Sequence, residues 1–298
     1  MAVVAFVVFL LLYLTPGDPA AILAGDAATS QDIANIREAL GLNAPFHVRF
    51  GEWVWRLLHG DLGISIFTKL PVTTLIGQRV GPTASLTICT LVFSVIVAVP
   101  LGVVAAARAG SWIDRAVMGF SVGGFSLPVF VLAYMLIYLF SIELEWLPVQ
   151  GYRPFREGVW EWARHLVLPS LALGTVYVAL IARITRTTML DVLAEDYMRT
   201  ARAKGVAMRP MLFRHALKNA AVPIVTVIGN GVALLIGGVV ITETVFNIPG
   251  IGRLVVDAIA RRDYPIIQGV ILLFSGVYVL VNMLVDLSYT LFDPRVRG

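Results

Sequence analysis

Long apolar runs separated by polar breaks make up most of this chain. Crossing the hydrocarbon core of a bilayer takes about 20 mostly apolar residues in a helix. Five runs reach that length: residues 85–107, 117–140, 166–184, 222–242 and 266–288. A sixth run, residues 2–14, is shorter and has no basic residue before it. Its length suits the core of a secretory signal, but the charged leading region of such a signal is missing. It is read as a first membrane helix, residues 1–14, that begins upstream of Met1. The longest polar break is 15–84. Within it, residues 31–40 and 50–58 carry helical patterning, which predicts a small folded cap rather than an open linker.

Composition agrees with the pattern. The 298-residue chain is 58% hydrophobic and 14% charged, against about 25% charged in an average soluble domain, and its mean hydropathy is +0.83. The class is therefore an integral membrane protein. The net charge of +4 matters less than where the charge lies. Three segments, 108–116, 183–222 and 289–298, hold 12 of the 23 Lys and Arg in 59 residues. The alternate segments, 15–84, 141–165 and 243–265, hold 11 in 118. The positive-inside rule then places both termini and the 183–222 segment in the cytoplasm.

One break does not look like a simple turn. Residues 191–223 read DVLAEDYMRTARAKGVAMRPMLFRHALKNAAVP, a charged island between two apolar runs. Leu190, Leu193, Tyr197 and Ala201 fall at helical spacing, with Asp191, Glu195, Arg199 and Arg202 on another face. Acidic residues precede basic ones, which suits the helix dipole. Glu195 stands four residues before Arg199, the favourable order for a pair. Gly205 occupies a helix C-terminal position that wants a left-handed residue. Pro210 suits the first turn of a second helix running to about Ala220. The island is expected to fold as helix, Gly turn, helix along the inner surface. Docking of a soluble partner and binding to anionic lipid both fit this pattern. A DNA-reading helix-turn-helix does not suit a segment tethered between spans.

Polar groups inside spans are costly and are read first as functional. Asn230 lies between Gly229 and Gly231 in the 222–242 run, and either lines a path or accompanies close helix packing. Glu243 at the outer end of that run is a candidate for facing the vestibule, with a solvated loop carboxylate as the alternative. Ser126 and Pro128 mark a kink in the 117–140 run. Asp286 reaches interfacial water or pairs with a basic residue such as Arg183. Cys89 is alone in an apolar run and is read as a buried small residue. The four histidines are dispersed, and no metal-binding, P-loop or nucleophile-elbow spacing occurs. Nothing points to catalysis on this chain. Trp112, Trp146, Trp160 and Trp162 are read as interfacial anchors.

Several stretches together carry a family resemblance. DYMRTARAKG followed by RHALKNAAVP resembles the cytoplasmic EAA loop of ABC-importer inner-membrane permeases of the dipeptide, oligopeptide and nickel group. TPGDP at 15–19, GDLGIS at 60–65, HLVLPSLALG at 165–174, ETVFNIPGIGRLVVDAIARRDYPIIQGVIL at 243–272 and LFDPRVR at 291–297 resemble further signatures of that group, in order along the whole chain. The likeness is closest to the first, B-type, permease. The chain departs from the general EAA pattern at Arg199, where the acidic residue usually stands, and at Thr200 in place of the first Ala. Ala201 and Gly205 match.

The resemblance implies an all-α polytopic membrane protein of six transmembrane helices, a type I ABC importer (MetI-like) transmembrane domain. Its segments would be the first helix (1–14), a periplasmic cap loop (15–84), a permease core (85–288) containing a coupling loop (185–222), and a cytoplasmic tail (289–298). Glu195, Asp196, Tyr197, Arg199, Thr200, Ala201, Arg202, Lys204 and Gly205 would couple to an ATPase. Ser126, Asn230 and Glu243 would line the path. The implied partners are a homologous second permease in a heterodimer, two cytoplasmic ATP-binding subunits, a periplasmic or lipid-anchored solute-binding protein, and membrane lipid. Nucleic acid is not among them. ATP and Mg would be bound by the ATPase subunits, with no cofactor on this chain. The location would be the bacterial inner membrane and the cargo a di- or oligopeptide, with nickel, glutathione or another small solute as alternatives. An ion-coupled secondary transporter would instead call for inverted repeats and mid-membrane carboxylates. A membrane-embedded enzyme would call for an acid–base or nucleophile pair at membrane depth.

Overall fold

The computed structural model describes residues 1–14, 20, 29–39 and 43–292, leaving aside the side chains of 11–13, 36, 39 and 290–292. The expected signature at 15–19 and residues 293–298 of the tail lie outside the described residues. Those described are mostly helical, with no strand among them. A single antiparallel bridge joins Ile64 and Pro71.

In chain order the helices are α1 (Ala2–Leu14), α2 (Ser30–Ala39), α3 (Phe46–Leu58), α4 (Val72–Ala107), α5 (Trp112–Ser126) and α6 (Val129–Ile137). The chain runs on from α6 through a π-helical stretch, Tyr138–Glu143. Next come α7 (Val159–Ala194), α8 (Asp196–Ala203) and α9 (Met208–Pro210). Then α9 continues through a π-helical stretch, Met211–Ala216, and a last turn, Leu217–Asn219. The series closes with α10 (Ala221–Val245), α11 (Ile251–Arg261) and α12 (Tyr264–Phe292).

Among the described residues, α4, α7, α10 and Tyr264–Tyr289 of α12 are long and apolar enough to cross a membrane, and α5 with α6 makes a fifth if the pair is one span. The spans are longer than the apolar runs suggest. Both α4 and α7 have 36 residues, about 54 Å at 1.5 Å per residue, well beyond the hydrocarbon core of about 30 Å. The expected 117–140 span is not straight: α5 and α6 meet at 102°. Pro128 disfavours helical backbone at the residue before it. Leu127 accordingly turns extended (φ −90, ψ 123), and α6 restarts behind the proline.

The chain divides into two compact units, Met1–Val80 with Leu254–Val277, and Gly81–Arg253 with Tyr278–Gly298. In the first, Phe6 and Phe9 of α1 meet Phe46, Phe50 and Trp53 of α3, with ring centroids 5.3–6.3 Å apart. Asp263 is buried in the same unit. It accepts the Ser65 hydroxyl at 2.5 Å and the Ile66 N–H at 3.2 Å, which ties the GDLGIS turn to the start of α12. At the head of α2, the Thr29 hydroxyl and N–H donate to Asp32, and the Asp32 N–H donates back to Thr29 Oγ1. That reciprocal cap holds the Asp32 carboxyl below its usual range.

The second unit is built on α7, with Leu166, Leu173, Tyr177, Ile181 and Met189 among its buried residues. Leu86 of α4 and Leu235 of α10 belong to the same core. A separate cluster at the other end joins Val103, Met189, Met198, Met211, Ala216 and Ile224.

Candidate functional site

The charged island stands on that second cluster. The predicted face of Leu190, Leu193, Tyr197 and Ala201 does not lie on one helix. Instead α7 runs on to Ala194, Glu195 turns extended (φ −64, ψ 149), and α8 starts afresh at Asp196. The break lets Met198 turn in, fully buried among Met189, Met211 and Ala216. Arg199 pairs with Asp196 at 3.4 Å, where a pair with Glu195 was expected. Both side chains are exposed, so this pair contributes no more than about 0.5 kcal/mol.

Gly205 does what its position predicts. Its φ is +80, its N–H donates to Arg202 O and the Val206 N–H donates to Ala201 O. These two bonds form a Schellman ending, and a side chain at that φ would be strained. Pro210 lies in the first turn of the second short helix, as expected. A side-chain bridge ties the two short helices together: Asn219 Nδ2 donates to Tyr197 Oη and to His215 O, each at 2.9 Å.

With Met198 and Met211 turned inward, the outer surface of the island is mixed. Tyr197, Met208 and Phe213 are exposed large apolar side chains. Glu195, Asp196, Arg199, Thr200, Arg202, Lys204 and Gly205 are exposed around them, and Ala201 is half-buried. An apolar patch rimmed by charge on a structured hairpin is suited to a groove on another protein.

A bidentate ion pair, missed in the sequence, lies close by. Arg186, on the last turns of α7, donates through Nε to Asp114 Oδ1 and through Nη2 to Oδ2, the latter at 2.7 Å. Asp114 is buried and also accepts the Gly110 N–H at 2.9 Å, while its own N–H donates to the Ser111 N-cap hydroxyl. The pair pins the turn between α4 and α5 to the rod that ends at the island. A separation of 72 residues leaves no local pattern to read.

The expected path residues sit apart. Ser126 is exposed at the α5–α6 break, its hydroxyl donating to Val122 O at 2.9 Å. Asn230 is exposed on α10. Beside it Gly229 allows close packing, since a Cβ there would run into Val285. Arg183 lies over the Phe125 ring at 5.7 Å, while Asp286 is exposed. Cys89 is only partly buried and, with Trp162 and Leu166, lines an apolar groove of about 240 Å³.

Glu243 is fully buried, not solvated. Thr83 donates its hydroxyl to Oε1 at 2.5 Å, and the Arg253 N–H donates to Oε2 at 3.0 Å. Thr83 Oγ1 in turn accepts the Ile251 N–H at 2.8 Å. Two free N–H groups at the start of α11 are thus met by one carboxylate and its relay hydroxyl. The helix itself was missed, because the sequence reading treated 243–265 as a loop.

Comparison with known proteins matches residues 98–298 to a family described as the binding-protein-dependent transport system inner membrane component. Residues 1–87 match the N-terminal portion of such membrane components. A "probable peptide ABC transporter permease protein" of Sinorhizobium fredii is 60% identical over 297 residues, covering 100% of this chain and 95% of the relative. A glutathione transport system permease protein of Salmonella choleraesuis is 43% identical over 297 residues, covering 100% and 94%. Among solved structures, a methionine ABC transporter in inward-facing conformations aligns with a TM-score of 0.61 at 17% identity. The alignment covers 74% of this chain and 97% of that one; at that identity the likeness speaks for the fold.

Proposed function

Because this chain belongs to the binding-protein-dependent transport system inner membrane component family, we propose that it is the B-type permease of an ATP-driven importer that takes up di- or oligopeptides. The names of full-length relatives support the peptide cargo, and a glutathione permease at 43% identity keeps that small peptide as the second reading. A second, homologous permease completes the pore. A solute-binding protein delivers cargo to the outer face. Two cytoplasmic subunits bind ATP and Mg, and the chemistry of hydrolysis stays on them. Charge bias supports an inner-membrane location with both termini cytoplasmic.

The observation that carries the proposal is the island's architecture. It is a short helical hairpin, anchored by Met198 and closed by Gly205, that presents Tyr197, Met208 and Phe213 within a charged rim. This hairpin docks in a groove of the ATPase. Closure of the ATPase dimer pushes it, and α7, continuous from Val159 to Ala194, moves as a rod. Glu195, Asp196, Arg199, Thr200, Ala201, Arg202 and Lys204 form the contact surface. Ser126, Asn230 and Glu243 are proposed along the route, with Glu243 shaping it from within rather than touching cargo.

Gly205→Leu tests the coupling. In proteoliposomes holding the assembled transporter, the variant is expected to insert and to hydrolyse ATP at the basal rate. Peptide uptake should fall by an order of magnitude or more, as loss of about 1.4 kcal/mol of coupling already implies. Uptake at the normal rate would remove the coupling role. A ligand screen on the partner binding protein, peptides against glutathione and nickel, decides the cargo.

A further inference from the structure

The helix α3 carries two apolar stripes, and only one is matched among the described residues of its unit. Phe46, Phe50 and Trp53, at spacings of four and three, meet the rings of α1. Val48, Trp55 and Leu58, at spacings of seven and three, fall on the far side. Trp55 and Leu58 are 66% and 75% exposed. Between the stripes stand Glu52 and Arg56, paired at 3.9 Å, and His59, whose ring lies 4.4 Å from that of Trp55. A helix on the surface of a water-soluble cap needs one apolar stripe and a polar remainder. A second stripe of this size implies that the far side is also out of water.

The ring contacts give the depth. Every residue of α1 is apolar or aromatic, as suits a helix in lipid, and polar residues resume at Thr15. Phe9 and Phe6 stand five and eight residues before Leu14, the last residue of the apolar run, about 8 and 12 Å along the helix at 1.5 Å per residue. Amphipathic helices that lie in the membrane surface sit about 5–10 Å into the boundary between headgroups and acyl chains. The rings of α1 thus hold α3 at that level. Trp is the side chain enriched there, and Arg56 is long enough to reach the headgroups.

We propose that α3 is an interfacial helix, and that Val48, Trp55 and Leu58 bind the lipid surface of the leaflet in which α1 ends. The segment expected to be a small folded cap is then moored to the bilayer at one side. The mooring limits how far the segment can swing.

Site-directed spin labels test this in the assembled transporter in lipid nanodiscs, with Cys89→Ser as background. Labels are placed by Trp55→Cys, Leu58→Cys and, on the polar face, Glu52→Cys. Collision with oxygen, which partitions into lipid, is compared with collision with a charged, water-soluble nickel chelate. At 55 and 58 oxygen is expected to exceed the chelate several-fold, with the order reversed at 52. Chelate access at 55 and 58 equal to that at 52 would overturn the proposal by showing a solvated face. Protection from both reagents would overturn it by showing a protein cover, such as the binding protein or second permease. Val48→Cys, less exposed on the same stripe, gives the same readout should a label at 55 disturb the fold.

Discussion

Glu243→Ala is expected to release the first turn of α11. The carboxylate is fully buried and accepts two charge-assisted bonds, from the Thr83 hydroxyl and the Arg253 N–H. Removing it strands those donors and leaves Thr83 without the acceptor that orients its oxygen toward the Ile251 N–H. Hydrogen bonds to a charged group contribute about 1.5–3 kcal/mol each, so the loss of two is about 3–6 kcal/mol. The melting midpoint of the solubilised complex should fall by on the order of 10 °C, and trypsin should cleave after Arg253 where the parent resists. Glu243→Gln keeps one carbonyl acceptor and should recover about half of the loss. Gly250→Ala should reproduce the alanine phenotype with Glu243 intact, because a Cβ at 250 overlaps the carboxylate. Gly252→Ala is confined more rigidly still, with the Val240 Cα 2.7 Å from its Cβ. A midpoint and cleavage rate unchanged in Glu243→Ala would show the carboxylate to be dispensable.

Breaking the Asp114–Arg186 pair should be nearly as damaging, but reversible by a partner change. Arg186→Ala leaves a buried carboxylate with only the Gly110 N–H of the observed donors. Asp114→Ala leaves a guanidinium that is mostly covered, 22% exposed. Removing one member of such a pair costs about 3 kcal/mol, the lower end of the range for buried pairs because Arg186 keeps some solvent. The double variant Asp114→Arg with Arg186→Asp restores opposite charges without the Gly110 bond, and should regain part of the midpoint and of uptake. If the pair also transmits motion from α7 to the turn before α5, the single variants will lower uptake per ATP hydrolysed more than they lower hydrolysis. Equal losses in the single and swapped variants would show that the pairing itself contributes nothing.

Local signals in the island were largely correct, and the errors come from one source. Gly205 and Pro210 sit as their conformational preferences require, because left-handed backbone and a missing N–H are properties of single residues. The helix face through Leu190 and Tyr197 failed because periodicity says nothing of where a chain will break to bury Met198. The partner of Arg199 changed for the same reason: the break at Glu195 removed that residue from the helix and left Asp196 within reach. At Pro128 the local rule was visible, and only its size, a 102° bend in place of a kink, needed the structure.

The sequence by itself determined the membrane class, the position of four long apolar spans and the island's helix–Gly–helix form. These follow from solvent preference and backbone chemistry, which act on residues near one another in the chain. Tertiary structure alone decided that Glu243 turns inward to the start of α11, that Asp114 meets Arg186, that Asp263 nests against Ser65, and that α3 grips α1 by its rings. Each of these joins residues from 10 to 198 positions apart. A carboxylate in a sequence shows only that its burial will be costly. Which donors offset that cost depends on which helices pack together, and no local pattern records it.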